Sequence, residues 1–210
     1  MTHTPPIIGF TGPIGCGKDT AGRFLTDIGF VRVSFADVLR DCLYALNPLV
    51  PLEDGSHERV RDLVDRAGWE TAKRSTGEIR VLLQRFGAEA GRDILGENVW
   101  VDAAFGRAPD GVPIVVTDVR FPNEAKAVQA RGGAVVRITR SAGHREPGAA
   151  HISETAMEGH PIDFTICNDG TLDMLRESVM DVVRSAGVIA DRERRHETQG
   201  DAVSDPAGTR

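Results

Sequence analysis

The sequence predicts an α/β protein built on a doubly wound, mostly parallel sheet of five strands, and three observations support this class. Short apolar segments of strand length recur along the chain, amphipathic helical segments alternate with them, and a glycine-rich loop joins the first strand to the first helix. A length of 210 residues suits one domain with a full core, or one domain that carries a small insertion. We expect that domain to span residues 1–190.

The first half of the chain contains two strand–helix pairs and then a polar, helical stretch in which no strand pattern occurs. Helices are recognised here by apolar residues at helical spacing, and strands by short apolar or alternating runs. The predicted elements are strand 7–11, helix 18–28, strand 30–35, helix 36–46, and, within the strand-free stretch 56–108, helices 76–91 and 97–107.

The second half continues the alternation and then loses its apolar residues. The predicted elements are strand 113–117, helix 123–131, strand 134–138, a glycine- and proline-rich mobile loop at 141–150, strand 164–167 and helix 172–185. From residue 191 to the end only Ala202, Val203 and Ala207 are apolar, so we expect a disordered tail over 191–210.

Charge and cysteine content exclude several classes of protein. The net charge of −6 argues against stable binding of nucleic acid, which needs a basic surface. No apolar run is long enough for a transmembrane helix, and the first residues carry no secretory pattern. Cys16, Cys42 and Cys167 are widely spaced and odd in number, which favours neither disulfides nor zinc. We expect a cytoplasmic protein.

The first loop has the pattern of a phosphate-binding loop, G-x-x-x-x-G-K, between a strand and a helix. Its residues are Gly12, Pro13, Ile14, Gly15, Cys16, Gly17 and Lys18. Glycines let successive backbone amides curl around a phosphate, the helix N-terminus adds partial positive charge, and the lysine reaches the β- and γ-phosphates. A flexible turn before a helix is the alternative interpretation.

The residues after the lysine depart from the usual pattern, in which a Ser or Thr hydroxyl binds Mg²⁺. Asp19 occupies that position and Thr20 follows it. Asp19 would hold the ion directly or through water, or else Thr20 would cap the helix, and the sequence leaves these alternatives open.

Asp118 and Arg120 follow the strand 113–117. A carboxylate after a buried strand beside a phosphate loop is suited to bind Mg²⁺ or substrate, and a guanidinium is suited to pair with a phosphate. A turn carboxylate, and a surface ion pair between Arg120 and Glu124, are the alternatives.

Four residues of the predicted helix 76–91 share one face by their spacing: Arg80, Gln84, Gly87 and Gly91. Such a face can admit a flat ligand, because the arginine supplies charge, the amide can pair with a base edge and the glycines leave room. A solvated polar face explains the same spacing equally well.

Several cationic side chains lie in or near the glycine-rich loop, namely Arg137, Arg140, His144, Arg145 and His151. Mobile cations that close over a γ-phosphate are a requirement of phosphoryl transfer. We favour Arg140, since it stands where strand passes into loop; a solvated loop is the alternative.

Taken together, GFTGPIGCGKDT, SFADVLRD, RVLLQRFGAEAGRD with Trp100 soon after, VTDVRFPNEA, HISE and CNDGTLDML resemble, in this order, the bacteriophage-type deoxynucleoside monophosphate kinases, which are relatives of adenylate kinase. The resemblance covers about residues 7–183; GKDT and DVRFPNE are its more specific parts. Residues 47–75 match no part of it. Asp19 departs from the general phosphate-loop pattern and agrees with this subfamily.

The resemblance implies Mg²⁺-dependent transfer of phosphate from ATP to a deoxynucleoside monophosphate. It implies that residues from Gly12 to Thr20 bind ATP, that Asp19 and Asp118 contact the metal, and that Lys18, Arg120 and Arg140 are catalytic. It also implies a helical monophosphate-binding region at about 36–108 and a lid at about 140–158; a homodimer is compatible with it. The monophosphate-binding residues implied are Ser34, Phe35, Asp37, Arg40, Arg80, Gln84, Gly87, Arg92, Asp118, Arg120 and Glu154.

Three other functions are weighed against this one. Another small-molecule kinase on the same scaffold, for dephospho-coenzyme A or phosphomevalonate, is the nearest. A nucleotide-dependent switch would need an Asn-Lys-x-Asp segment, which the chain lacks. A kinase for polynucleotide ends is disfavoured by the acidic charge.

Overall fold

The structure is a computed structural model, and it describes residues 5–141, 156–157 and 159–200, with side chains described as far as 187. The chain forms two compact units, one made of Met1–Arg32 with Pro109–Arg210 and the other of Val33–Ala108. Within the described residues no helix is both long and apolar enough to cross a membrane.

The first unit is built on the predicted five-stranded sheet, which confirms the fold class. Its strands are β1 (Ile7–Thr11), β2 (Val31–Val33), β5 (Ile114–Val116), β6 (Ala134–Thr139) and β7 (Phe164–Cys167). Their order is β2-β5-β1-β6-β7, and the pairs β1–β5, β1–β6 and β6–β7 are parallel. The central strand β1 has the predicted bounds because all five of its residues are buried.

Helices cover both faces of this sheet. Alternate residues of β1, Ile8 and Phe10, are fully buried in a core with α1 (Lys18–Thr26) and α7 (Leu172–Gly200). On the opposite face a Cβ at Gly9 would lie 3.2 Å from Val128 of α6 (Pro122–Ala130). The alternation of strand side chains therefore produces the doubly wound arrangement.

The second unit has its own small core, which includes Leu43, Val50, Val60, Leu63 and Ile79. Its helices are α2 (Phe35–Leu46), α3 (Val60–Ser75, interrupted at Gly68), α4 (Gly77–Arg85) and α5 (Val99–Gly106), with a π-helical segment Phe86–Leu95 between α4 and α5. An antiparallel hairpin, β3 (Leu49–Pro51) and β4 (His57–Arg59), lies between α2 and α3.

The hairpin corrects the expectation of a strand-free stretch from residue 56 to 108. Each strand has three residues, too few to show an alternating pattern, and β4 is the polar sequence His-Glu-Arg. Only Val50 of β3 is fully buried, so the hairpin gains its stability from one anchor in the core.

The C-terminal helix α7 is longer than predicted. It reaches Gly200, whereas the sequence placed its end at residue 185 and disorder from residue 191. Among the residues whose side chains are described, buried apolar positions continue along the helix to Ala186, and arginine and glutamate, which are frequent after it in the sequence, are good helix formers. Residues 201–210 lie outside the described part of the chain.

Candidate active site

The phosphate loop connects β1 to α1 with a backbone that requires glycine. Gly12, Gly15 and Gly17 have φ angles of 138°, 77° and 109°, a region that other L-residues rarely adopt. Space is limiting at two of them, because a Cβ on Gly12 would lie 2.2 Å from the Ile138 carbonyl oxygen and one on Gly17 would lie 2.5 Å from Asn168. The three glycines are thus fixed by conformation and by close approach.

Helix α1 begins directly after this loop, and no side chain caps its N-terminus. Gly17 is the N-cap residue and no side chain accepts a hydrogen bond there. Thr20 therefore does not cap the helix, which removes one of the two alternatives for the residues after Lys18. The amides of the first turn have no intrahelical acceptors, and together with the helix dipole they favour an anion.

The Lys18 ammonium group folds back over the loop. Its Nζ donates to the carbonyl oxygens of Gly12 at 2.6 Å and of Pro13 at 2.7 Å. Burial lowers the pKa of Lys18 below its ordinary value, and the nearby charge of Arg120 adds to the lowering, whereas Cys16 opposes it. The lysine therefore presents a partly desolvated positive charge at the loop.

A cavity of about 220 Å³ opens beside the loop. Three cationic side chains line it: Lys18, Arg120 and Arg137. The other residues of its wall are Thr11, Gly12, Pro13, Ile14, Val119, Thr139 and Met157. Three cations around a glycine loop form a site for a polyanion.

The segment that carries Asp118 and Arg120 is held against β1. The Val119 amide donates to the Phe10 carbonyl at 3.1 Å, and the buried Glu124 carboxylate accepts hydrogen bonds from the backbone amides of Arg120 at 2.7 Å and Phe121 at 3.1 Å. Glu124 thus orders the backbone of the motif, a role that sequence reasoning missed. Its position three residues after the cap of α6 is the signal that could have found it.

The cations near the glycine-rich loop divide between the cavity and the surface. Arg137 lines the cavity and donates from Nη2 to the Met157 carbonyl at 2.8 Å. Arg140 is exposed, is not part of the cavity wall, and its charge acts on Asp169. Of these two arginines, the structure places Arg137, which sequence reasoning ranked below Arg140, in the wall of the cavity beside the phosphate loop.

Some predicted residues fall outside the part of the chain that the structure describes. Glu154, His144, Arg145 and His151 belong to residues 142–155, which form most of the expected lid.

Four of the expected acceptor residues of the second unit lie on or beside α2. Ser34 is its N-cap residue and Phe35 packs edge-on against Phe105, with ring centroids 5.8 Å apart. The Arg40 guanidinium pairs with Asp37 at 3.2 Å and with a further carboxylate, Glu70, at 3.4 Å. Arg40 is therefore held in place by carboxylates on two helices.

The predicted face of α4 is only half present. Arg80 and Gln84 are exposed, at helical spacing, on α4. Gly87, in the π-helical segment, packs closely against its neighbours: its carbonyl accepts from Trp100 Nε1 at 2.9 Å, and a Cβ on it would lie 3.1 Å from Leu39. The helical face predicted for the two glycines does not continue past Arg85, because the backbone becomes π-helical there, and their part in binding a ligand stays a prediction. Arg92 lies in the same segment, half-buried.

The residues present fit Mg²⁺ as a partner of nucleotide phosphates. Among the described residues no group of three or more His, Cys, Asp or Glu side chains could hold a metal ion alone. Mg²⁺ keeps several waters and is usually bound by one or two carboxylates together with substrate phosphates. The exposed Asp19, in the first turn of α1, and the half-buried Asp118 supply carboxylates of that kind.

Comparison with known proteins assigns the family. The model of the deoxynucleotide monophosphate kinase family matches residues 64–179, which is more than half of the chain. The chain belongs to this kinase family. It is a phosphotransferase, and its relatives include a protein of Acanthamoeba polyphaga mimivirus named "Putative deoxynucleotide monophosphate kinase", which is 28% identical over 204 residues that cover 86% of this chain and 97% of the viral protein.

Among solved structures, the kinase is similar to TT1252 from Thermus thermophilus, with 17% identity, a TM-score of 0.42, and coverage of 87% of this chain and 98% of that one. A likeness at this level carries no information on function.

Proposed function

We propose that this kinase transfers the γ-phosphoryl group of ATP to a deoxynucleoside monophosphate, with Mg²⁺, and gives the diphosphate and ADP. The observation that carries the proposal is the cavity that joins a glycine phosphate loop to three cationic side chains, Lys18, Arg120 and Arg137. The name of the mimivirus relative supports the same acceptor class.

The phosphate loop binds the donor. Its amides and the N-terminus of α1 hold the β- and γ-phosphates, and Lys18 exchanges its bonds to the Gly12 and Pro13 carbonyls for bonds to phosphate oxygens. Arg120 and Arg137 neutralise the equatorial oxygens of the transferred group. In phosphoryl transfer the protein contributes positioning and charge stabilisation rather than covalent chemistry.

The acceptor needs no general base, because a monophosphate oxygen is already anionic at neutral pH. Residues of the second unit bind the acceptor, with Arg40, Arg80 and Arg92 contributing charge and Gln84 contributing an amide for the base edge. Mg²⁺, held by phosphates with Asp19 or Asp118, would neutralise charge on the β- and γ-oxygens. We expect the enzyme to act in the cytoplasm, on the nucleotides found there.

Replacing Lys18 tests the donor site. Lys18→Ala should lower kcat by roughly 10²-fold or more, because a positioned charge at the transferred phosphate is lost, while the circular dichroism spectrum stays that of the wild type. Lys126→Ala removes a lysine that is exposed on α6 and absent from the cavity wall, and should keep wild-type turnover. Equal turnover in both variants would refute the role of the loop.

A panel of acceptors tests the substrate. We expect turnover with dTMP, dGMP, dCMP or dAMP, each measured beside its ribonucleotide, and none with dephospho-coenzyme A or phosphomevalonate. A preference for either of the last two would replace the proposed acceptor with the nearest alternative.

A further inference from the structure

The turn between β7 and α7 contains two side chains, Asn168 and Asp169, that the proposed mechanism does not use. The Nδ2 of Asn168 donates to the Cys16 carbonyl in the phosphate loop at 2.8 Å, and its backbone amide donates to the Thr139 carbonyl at 2.7 Å. The Asp169 carboxylate accepts from the backbone amide of Ser141 at 2.5 Å and from its hydroxyl at 2.6 Å. The turn is thus bonded both to the phosphate loop and to the chain at the end of β6.

These two bonded segments form walls of the cavity. Thr139, at the end of β6, and Gly12 and Lys18, at either end of the phosphate loop, all line it. Asn168 and Cys16 are 152 residues apart in the sequence, so their hydrogen bond is a long-range contact between the turn and the phosphate loop. The parallel ladder between β1 and β6 already joins these two walls, and the turn adds side-chain hydrogen bonds to both of them.

The bond to Cys16 also sets the direction of a loop amide. A trans peptide places its C=O and N–H on opposite sides, so a Cys16 carbonyl held by Asn168 turns the Gly17 amide away from Asn168. The contact is tight, since a Cβ on Gly17 would lie 2.5 Å from Asn168 Nδ2. A loop with three glycines at positive φ has much conformational freedom to lose.

We propose that Asn168 is a positioning residue for the donor: its side-chain amide holds the phosphate loop in one conformation and so reduces the ordering cost of binding the triphosphate. The inference rests on the proposed use of ATP. The turn has the sequence CNDG, which forms part of the family resemblance but had no role assigned to it. The proposal assigns it one. Preorganisation of this kind raises affinity without any contact to the ligand.

Two variants test the role, Asn168→Ala and Asn168→Leu, the second of which keeps most of the side-chain volume without a donor. The dissociation constant of a non-hydrolysable ATP analogue should rise roughly three- to tenfold, the loss expected for one hydrogen bond, and the KM for ATP should rise with it. The KM for the deoxynucleoside monophosphate should stay at the wild-type value.

Gln129→Ala is the matched control, because it also removes a side-chain amide donor in the same unit, one that bonds Asp163 at 3.0 Å outside the cavity wall. It should leave both KM values unchanged.

The possible outcomes distinguish a failure of the positioning role of Asn168 from a failure of the proposed kinase function. A wild-type enzyme that does not bind the ATP analogue overturns both. If the wild type binds it and both Asn168 variants bind it equally well, or are only less stable to heat, the positioning role is wrong and the kinase function stands. If Asn168→Ala does not fold, the affinity of Asn168→Leu decides.

Discussion

The pKa of Lys18 lies below its ordinary value of 10.5, chiefly because the ammonium group is partly withdrawn from solvent. In the unfolded chain Lys18 therefore keeps its proton to higher pH than in the folded chain. Between the two pKa values the unfolded state binds more protons, so the contribution of Lys18 to the free energy of unfolding rises with pH in that window. The partly buried charge of Lys18, which we propose binds phosphate, therefore lowers the stability of the folded chain, and deprotonation at alkaline pH removes that cost.

We expect the thermal stability of the wild type, relative to Lys18→Met, to increase as the pH rises toward 10.5. The affinity for ATP should fall over the same window, since a neutral amine attracts phosphate less. Unfolding scans and ATP titrations at stepped pH measure both, with Lys18→Arg as the control that keeps its charge throughout. Parallel stability profiles for the wild type and Lys18→Met would contradict the assignment.

Alanine substitutions at two glycines of the phosphate loop distinguish the cost of backbone strain from the cost of steric overlap. Gly15→Ala meets no atom within 4 Å and bears only the strain of φ 77°, so it should cost about 1–2 kcal/mol of unfolding free energy. Gly12→Ala adds a Cβ 2.2 Å from the Ile138 carbonyl and should cost about 3 kcal/mol or more. Urea unfolding of both variants measures the difference, and equal losses would show that space does not limit Gly12.

At the scale of elements, the π-helical segment is held by a contact between Gly91 and Trp100. A Cβ on Gly91 would lie 2.4 Å from Cζ2 of Trp100, so Gly91→Ala should lower the free energy of unfolding by roughly 2–3 kcal/mol. Gly106→Ala, at the end of α5, meets nothing within 4 Å and should change stability by less than about 1 kcal/mol, in the stabilising direction. A stable Gly91→Ala variant would mean that the segment can shift away from the indole.

The secondary-structure elements with a strong local sequence pattern were predicted. The hairpin and the π-helical segment, which lack such a pattern, were not. The central strand β1 was found with its bounds because a fully buried parallel strand is a plain apolar run. The hairpin β3–β4 was missed, and the π-helical segment was taken for α-helix because sequence periodicity assumes 3.6 residues per turn. In the candidate site, the glycine loop between β1 and α1 is one continuous motif, so its place in the fold was predicted, whereas the contact between Asn168 and Cys16 spans 152 residues and leaves no local pattern.

For the whole molecule, charge is distributed unevenly. The chain carries a net charge of −6, yet the cavity beside the phosphate loop presents Lys18, Arg120 and Arg137. An acidic surface discourages polyanions such as nucleic acid, while the local cations attract a small one. From this contrast we expect the proposed binding of ATP to depend on electrostatic attraction that salt can screen.

We therefore expect the KM for ATP to rise severalfold between 0.05 and 0.5 M NaCl, on the order of the screening expected for two or three partly exposed charges, with a smaller change in kcat. Arg137→Gln should raise the KM at low salt and flatten its salt dependence, because one of the screened charges is gone. Lys126→Gln makes the same charge change on the exposed face of α6 and should leave the slope as in the wild type. Equal slopes in the Arg137 and Lys126 variants would show that net charge, rather than the cation in the cavity wall, governs the attraction of the donor.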